Sequence, residues 1–416
     1  MRPRPQTRFV GIPALTLLLG ILLLGGCESS TSPIAFNPDT LRFTEISAGA
    51  RHTCALNPEG QAWCWGYDGD GQLGTLRGRA PAYAPLPIGT DERFIDISSG
   101  ARHTCGLNLE GALFCWGRAE WGTTGLPEPI GTETGFLQVA STFEHACALR
   151  ANGEVACWGQ GTLGQLGEAS PGTSAALPVT MTGLPPIQKL APGGSSTCAL
   201  DESGGAWCWG LDDTGQLGAG GAPQTCVDLA PYGEGSSAPC SLTPIQVSAT
   251  QPYVDLTAGV FHACGLRSDG VVECWGDDTA EQLGADAGGG DLCDWVSPNI
   301  PERPCTLTPR PIDGADVVFA TIDRGSFHTC AATPDGEGYC WGADTFGQIG
   351  SIRSLPGAGP EPIAGDLIWS RLTGGQVHTC GITVGGAAFC WGDNSSGQLG
   401  SMVEHTVRPV LVAPPF

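Results

Sequence analysis

The chain of 416 residues carries 42 acidic against 19 basic side chains, a formal net charge of −23, with 64 glycines, 33 prolines and 19 cysteines. A surface this acidic repels phosphate backbones, which argues against nucleic acid as a partner. A chain this long would ordinarily be shared by two or more domains, so internal repetition is the alternative to test first.

At the N-terminus, Arg2, Arg4 and Arg8 precede an apolar run from Phe9 to Leu24 that ends in Leu24-Gly25-Gly26-Cys27. This pattern predicts an export signal over residues 1–26, excluded from the fold. The run has signal length and is short for a membrane span. Its junction resembles the bacterial lipobox, and that resemblance implies cleavage before Cys27 and lipid attachment to it. The alternative is a soluble secreted protein in which Cys27 is an ordinary residue. Glu28 follows Cys27, so the aspartate that favours inner-membrane retention of such lipoproteins is absent. The expected location is the cell envelope, at the outer membrane or cell surface, with the membrane touched through the lipid only. Residues 27–39 read as the lipidated N-terminus and a tether rich in Ser, Thr and Pro, and residues 40–416 as the folded part.

Setting Cys27 aside leaves 18 cysteines, an even number compatible with nine disulfides and an oxidising compartment. Seven pairs share a spacing of ten residues: Cys54 with Cys64, Cys105 with Cys115, Cys147 with Cys157, Cys198 with Cys208, Cys264 with Cys274, Cys330 with Cys340, and Cys380 with Cys390. Each second cysteine is followed at once by Trp-Gly, and a glycine stands six residues after each first cysteine, as in Asn57-Pro58-Glu59-Gly60. That glycine marks a turn. If Cys54 to Leu56 and Ala62 to Cys64 are antiparallel strands about it, Cys54 falls opposite Cys64, and a closely spaced cross-strand pair approaches disulfide distance. Zinc, the rival reading of regular cysteines, would gather four ligands and usually a Cys-x-x-Cys unit, which does not occur here.

Each hairpin is expected to be preceded by two more strands, one containing Pro-Ile or Pro-Val and one apolar, as in Pro87-Ile88 followed by Phe94-Ile95-Asp96-Ile97. Proline cannot donate to a neighbour, so its strand should be outermost. Units of about 50 residues with four strands each describe propeller blades, and seven hairpins mean seven blades. The predicted fold is an all-β, seven-bladed propeller with a disulfide in each blade. The last Pro-Val, Pro409-Val410, has no hairpin after it. It is expected to complete the first blade and tie the two ends of the chain, with Pro33-Ile34 as the other candidate for that strand.

The seventh copy, G-G-Q-V-H-T-C-G-I-T-V-G-G-A-A-F-C-W-G-D-N-S-S-G-Q-L-G, resembles the regulator of chromosome condensation repeat family. The resemblance spans about residues 40–416, with Gly-Gln-Leu-Gly at 71–74, 164–167, 215–218 and 397–400. Repeat two departs with Gly122-Thr123-Thr124-Gly125, repeat five with Glu281 and repeat six with Ile349. The resemblance implies a rigid seven-bladed platform used mainly for protein contacts. The family's best-known member is a nuclear guanine-nucleotide exchange factor that binds a small GTPase and chromatin, a role that export disfavours here. Secreted bacterial relatives include propellers that clamp β-lactamases with loops from one face, though no inhibitory residues transfer to this chain.

Histidines two residues before the first cysteine, at 52, 103, 145, 262, 328 and 378, with Ser196 in the seventh copy, invite a metal or proton-relay reading. One position per blade places them too far apart to share a metal, so backbone-bonded structural histidines are expected. The Trp-Gly tryptophans are expected to pack between blades. Asp68-Gly69-Asp70-Gly71 has the local look of a calcium loop without its later acidic ligand. Asp212-Asp213 and Asp277-Asp278 read as turn residues occupying the same repeat position. No hydrolase elbow, phosphate loop or zinc-protease motif is present, and no cofactor or metal is expected.

Two long connections, residues 219–242 and 285–307, interrupt the repeat, and each holds an extra cysteine pair: Cys226 with Cys240, and Cys293 with Cys305. They read as stapled projections from consecutive blades, and loops on a rigid scaffold concentrate binding residues. Tyr232 and Trp295 are the expected anchors, with Asp228, Asp291 and Asp294 setting charge preference. The bland reading is that the loops merely cap an edge. The expected function is a monomeric scaffold or inhibitor-like module that binds a protein or envelope polymer. The alternatives are an envelope structural component, an exchange-factor-type regulator, and a propeller lyase or hydrolase.

Overall fold

The computed structural model describes residues 41–75, 79–118, 125–167, 173–227, 237–285, 291–293, 303–314, 316–352 and 359–413. Cys27 and its surroundings lie outside them. The fold below belongs to the unit Pro38–Phe416.

Seven antiparallel sheets follow one another along the chain. In the first, the inner strand Glu45–Ala48 pairs with His52–Leu56, which pairs with Ala62–Gly66, which pairs with the outer strand Ala82–Pro87. The hairpin register sets Cys54 opposite Cys64, and the same opposition recurs in the other six hairpins. All seven pairs are disulfide-bonded within their blade, with Cα atoms 4.0–4.1 Å apart. The turn glycines, Gly60 and its counterparts, hold φ between +70° and +85°, a region that costs a side-chain-bearing residue free energy.

One expectation is corrected by the strand order. The Pro-Ile strand does not precede a hairpin; it follows one and pairs with it as the outer strand. Thr406–Leu411, which contains Pro409-Val410, therefore pairs with Ala388–Gly392 of its own seventh blade, Val410 lying opposite Cys390. Every blade is contiguous in sequence, and no strand is exchanged between the ends of the chain. A repeat pattern cannot fix this phase, because each cyclic shift of a four-strand order repeats with the same period. The ring closes instead between whole blades: Phe43 N donates to Gly386 O at 2.8 Å, Ala48 N to Thr373 Oγ1 at 3.3 Å, and Trp65 Nε1 to Gln398 O at 2.9 Å. The outer position expected for the proline strands holds in the five four-stranded blades, while in blades four and five a fifth strand is added outside it.

The core is a set of apolar layers between blades. Between blades two and three, Leu107, Leu113 and Ile130 meet Phe136, Val139 and Trp158. Between blades five and six, Leu266, Val272 and Ile312 meet Phe319, Ile322 and Trp341. The seven Trp-Gly tryptophans are fully buried, one per interface, where each large ring removes much apolar area from water.

Candidate functional site

The histidines form part of the ring itself. His52 Nε2 meets Thr104 Oγ1 of the next blade at 2.9 Å, and His145 with Thr197, His262 with Thr329, His328 with Thr379, and His378 with Thr53 repeat the contact at 2.8–2.9 Å. Thr104, Thr197, Thr379 and Thr53 also donate their hydroxyl protons to the glutamine carbonyls of Gly-Gln-Leu/Ile-Gly turns. A hydroxyl has one proton, so in these four the imidazole Nε2–H must be the donor. Burial holds all six histidines down to about pKa 3. The glycine of Gly-x-x-His is required by close approach: a Cβ on Gly49 would stand 2.4 Å from Gly100 O and 2.6 Å from the His52 ring. In blade three Thr142 replaces it, and its hydroxyl meets His145 Nδ1 at 2.9 Å.

The acidic loops resolve into one turn. Asp68, Asp212, Asp278, Asp344 and Asn394 each accept the backbone N–H five residues on, that of the Leu or Ile in the repeat motif, at 2.9–3.1 Å. Asp70, the other carboxylate of the calcium-like sequence, forms a 2.7 Å ion pair with Arg102. Asp212 thus matches Asp278, not Asp277, and the two acid pairs are offset by one residue, which corrects the equivalence read from sequence. Asp213 and Asp277 are the odd members. Both are almost fully buried, each has one carboxylate oxygen without a partner, and burial raises both pKa values, Asp213 to about 6.

The two insertions build a fifth strand on consecutive blades. Gln224–Val227 pairs with the first half of the long outer strand Ser237–Gln246 of blade four, and Asp291–Cys293 pairs with the start of Arg303–Pro311 of blade five. Both are stapled in the same offset register: Cys226 is bonded to Cys240 and Cys293 to Cys305, with Cα separations of 5.8 and 6.0 Å. The proline-bearing ends, Pro244 and Pro311, stay beyond the added strands. The two edges adjoin, since Gly220 N donates to Leu307 O at 2.9 Å. Asp291 lies in the blade-five ribbon, whereas Tyr232, Trp295, Asp228 and Asp294 lie outside the described residues.

The inner strands line an axial cavity of about 220 Å³. Four residues before each Gly-x-x-His position stand Glu45, Asp96, Gln138, Lys189, Asp255, Thr321 and Arg371, one per blade. Lys189, the sole lysine of the chain, is ion-paired with Asp255, and Arg371 with Glu45 at 2.8 Å. Asp96 accepts Val139 N at 2.8 Å, and Gln138 accepts Leu190 N at 3.0 Å. Deeper in, Arg324 crosses the channel from blade six to donate to Ser141 O of blade three at 2.9 Å. This polar belt was missed from the sequence, although its signal is there: a polar residue at one fixed place in strands that are otherwise apolar.

Sequence patterns of the regulator of chromosome condensation (RCC1) repeat match residues 43–72, 94–120, 136–165, 152–200, 253–282, 320–348 and 372–398, half of the chain in all. The chain belongs to the RCC1 repeat family. It is 27% identical over 336 residues to the human E3 ubiquitin-protein ligase HERC2, covering 80% of this chain and 6% of HERC2. To the Arabidopsis thaliana ultraviolet-B receptor UVR8 it is 28% identical, over 76% of this chain and 56% of that one. It spans less than two thirds of either relative. Among solved structures, human WBSCR16 superposes with a TM-score of 0.68 at 20% identity, covering 83% of this chain and 88% of that one. Prp20p of Saccharomyces cerevisiae, described for its binding to Gsp1p and histones, gives 0.65 at 20% identity, over 82% of each chain. The stretches 201–252 and 283–319, which contain both stapled edges, fall between the RCC1 matches.

Proposed function

We propose that this RCC1 propeller is an exported, lipid-anchored scaffold that binds a protein partner along the stapled edge of blades four and five. The observation that carries the reading is the pair of disulfide-closed ribbons on adjoining blades, the one place where a seven-fold regular ring is broken twice in the same way. Covalent closure of such a ribbon lowers the ordering cost of binding. Protein contact is also what Prp20p, a propeller of the same fold, is described for. The lipobox-like junction at Cys27 supports envelope anchoring, and the nine cysteine pairs suit an oxidising compartment.

Ligase chemistry stays with HERC2, because the match covers 6% of that protein. The test is a pull-down from envelope extract with residues 40–416 as bait, against a variant whose ribbons 224–240 and 291–305 are replaced by short turns. A partner retained by the parent and lost by the variant supports the reading; equal retention removes it. Metabolic labelling with a radioactive fatty acid, lost in Cys27→Ser, tests the anchor.

A further inference from the structure

Two of the three channel cations are neutralised by direct ion pairs, Lys189 by Asp255 and Arg371 by Glu45. Arg324 is different. Of the five donors of its guanidinium, one bond, to Ser141 O, is made among the described residues. The neighbouring Asp323 turns its carboxylate onto the Arg324 backbone N–H at 2.6 Å. Two buried inner-strand hydroxyls, those of Ser99 (96% buried) and Ser141, have no partner among the described residues, and of the two Ser99 lines the cavity together with Arg324. Ser99 and Arg324 line both the axial cavity and the small hollow of about 20 Å³ at the Gly-x-x-His end. Buried polar groups left unpaired are costly and uncommon in native folds. A carboxylate answers both Arg324 and Ser99, since it accepts a guanidinium fork and a hydroxyl proton together.

We propose that the axial channel binds a small carboxylate anion, held by the Arg324 guanidinium and the Ser99 hydroxyl. A cavity of about 220 Å³ is smaller than the roughly 300–1,000 Å³ of drug-sized sites, which limits the ligand to a compact monocarboxylate. The groups facing it from the seven inner strands are Glu45, Asp96, Gln138, Lys189, Asp255, Asp323 with Arg324, and Arg371. When all are ionised, four acids outnumber three cations. Burial raises Glu45 to about 7 and Asp96 and Asp323 to about 6, so acidification removes acids first and leaves the channel positive. Anion binding therefore strengthens as pH falls from 8 to 5.5. The site is separate from the stapled edge, and either assignment can fail without the other.

The experiment is calorimetric titration of the disulfide-bonded chain with sodium acetate at pH 5.5 and pH 8, at fixed ionic strength. Saturable one-site binding is expected, at least fivefold tighter at pH 5.5. Arg324→Gln should weaken it at least tenfold. Ser99→Ala, which leaves the cross-channel bond intact, should weaken it about threefold and keeps the test open if the first variant does not fold. Absence of saturable binding in the parent, unchanged affinity in Ser99→Ala, or displacement by an equal concentration of chloride each overturns the proposal.

Discussion

His378 Nε2 lies 2.9 Å from Thr53 Oγ1, a contact between residues 325 apart in sequence that closes the seventh blade onto the first. Thr53 in turn donates to Gln398 O at 3.0 Å, and the Trp65 indole reaches the same carbonyl. The closing seam thus uses the same three-part joint as the interfaces at Thr104, Thr197 and Thr379, where for example Thr104 takes His52 and donates to Gln72 O; blades three and five carry Ala146 and Ala263 at the threonine position. A ring closed by the same bonds that join three of its internal interfaces needs no special fastening at the seam. It also has no need of the exchanged strand that the sequence pattern suggested.

Thr53→Val is therefore expected to cost about 1–3 kcal/mol, because it leaves a buried imidazole N–H unpaired and takes one of two bonds from the Gln398 carbonyl without opening a cavity. Thr104→Val should cost a similar amount. Urea unfolding of both variants is the check. A silent Thr53→Val beside a costly Thr104→Val means that the ends meet in some other way.

Acid should act on the histidine belt with a definite sign. Each buried imidazole has a native pKa near 3 against an ordinary 6.5, so the unfolded chain binds more protons between those values, and stability falls as pH drops through about 6.5. The raised carboxylates, Glu45, Asp96, Asp212 and Asp323 among them, bind more protons when folded and pull the other way between about pH 7 and 4. Removing one histidine exposes its share. Relative to the parent, His262→Asn should gain about 1.4 kcal/mol for each pH unit between 6 and 4. Parallel curves of unfolding free energy against pH for parent and variant would refute the assignment.

Asp213 and Asp277 offer the converse test between blades four and five. Burial, with the Asp277 charge a lesser cause, lifts Asp213 to about 6, so ionisation above that pH penalises the native state. In Asp213→Asn the amide oxygen can still accept from Gln216 Nε2, as Asp213 Oδ1 does at 2.8 Å. The variant should be more stable than the parent by about 1–2 kcal/mol at pH 8, with the gain shrinking below about pH 6 and gone by about pH 4. Calorimetric melting at the two pH values decides it, and a loss of stability at pH 8 would show that the carboxylate charge is compensated.

Much of this architecture was legible because the repeat writes it seven times. The ten-residue cysteine spacing fixed the hairpin register at Cys54 and Cys64, and the turn glycine, the Trp-Gly and the proline strand each found the place that backbone chemistry demands. What was not legible was phase and convergence. The membership of Pro409-Val410 depends on which of two equally periodic pairings buries more, and that is decided only where the pattern ends. The channel belt depends on seven residues far apart in sequence, of differing charge, which share a position and no residue type. Asp212 and Asp277 looked equivalent because adjacent acids are easily counted in the wrong phase; the bond to the amide five residues on separates them.

The stapled ribbons give the last prediction. Outer strands of propeller blades are edges, and an added fifth strand either covers an edge or presents a surface. Capping alone would be served by strand pairing, which both ribbons already have through Gln224–Val227 and Asp291–Cys293. A disulfide in addition closes each ribbon covalently around a stretch of sequence that contains Tyr232 in one and Trp295 in the other, and buried aromatic anchors are frequent hot spots worth about 2 kcal/mol or more on truncation. Tyr232→Ala with Trp295→Ala should then weaken a captured partner at least tenfold, with melting unchanged. Cys226→Ser with Cys240→Ser should weaken it less, by loosening one ribbon while leaving both anchors in place. Surface plasmon resonance with the captured partner ranks the two variants. Unaltered affinity in the aromatic double variant would assign the ribbons to edge protection and move the binding surface elsewhere on the ring.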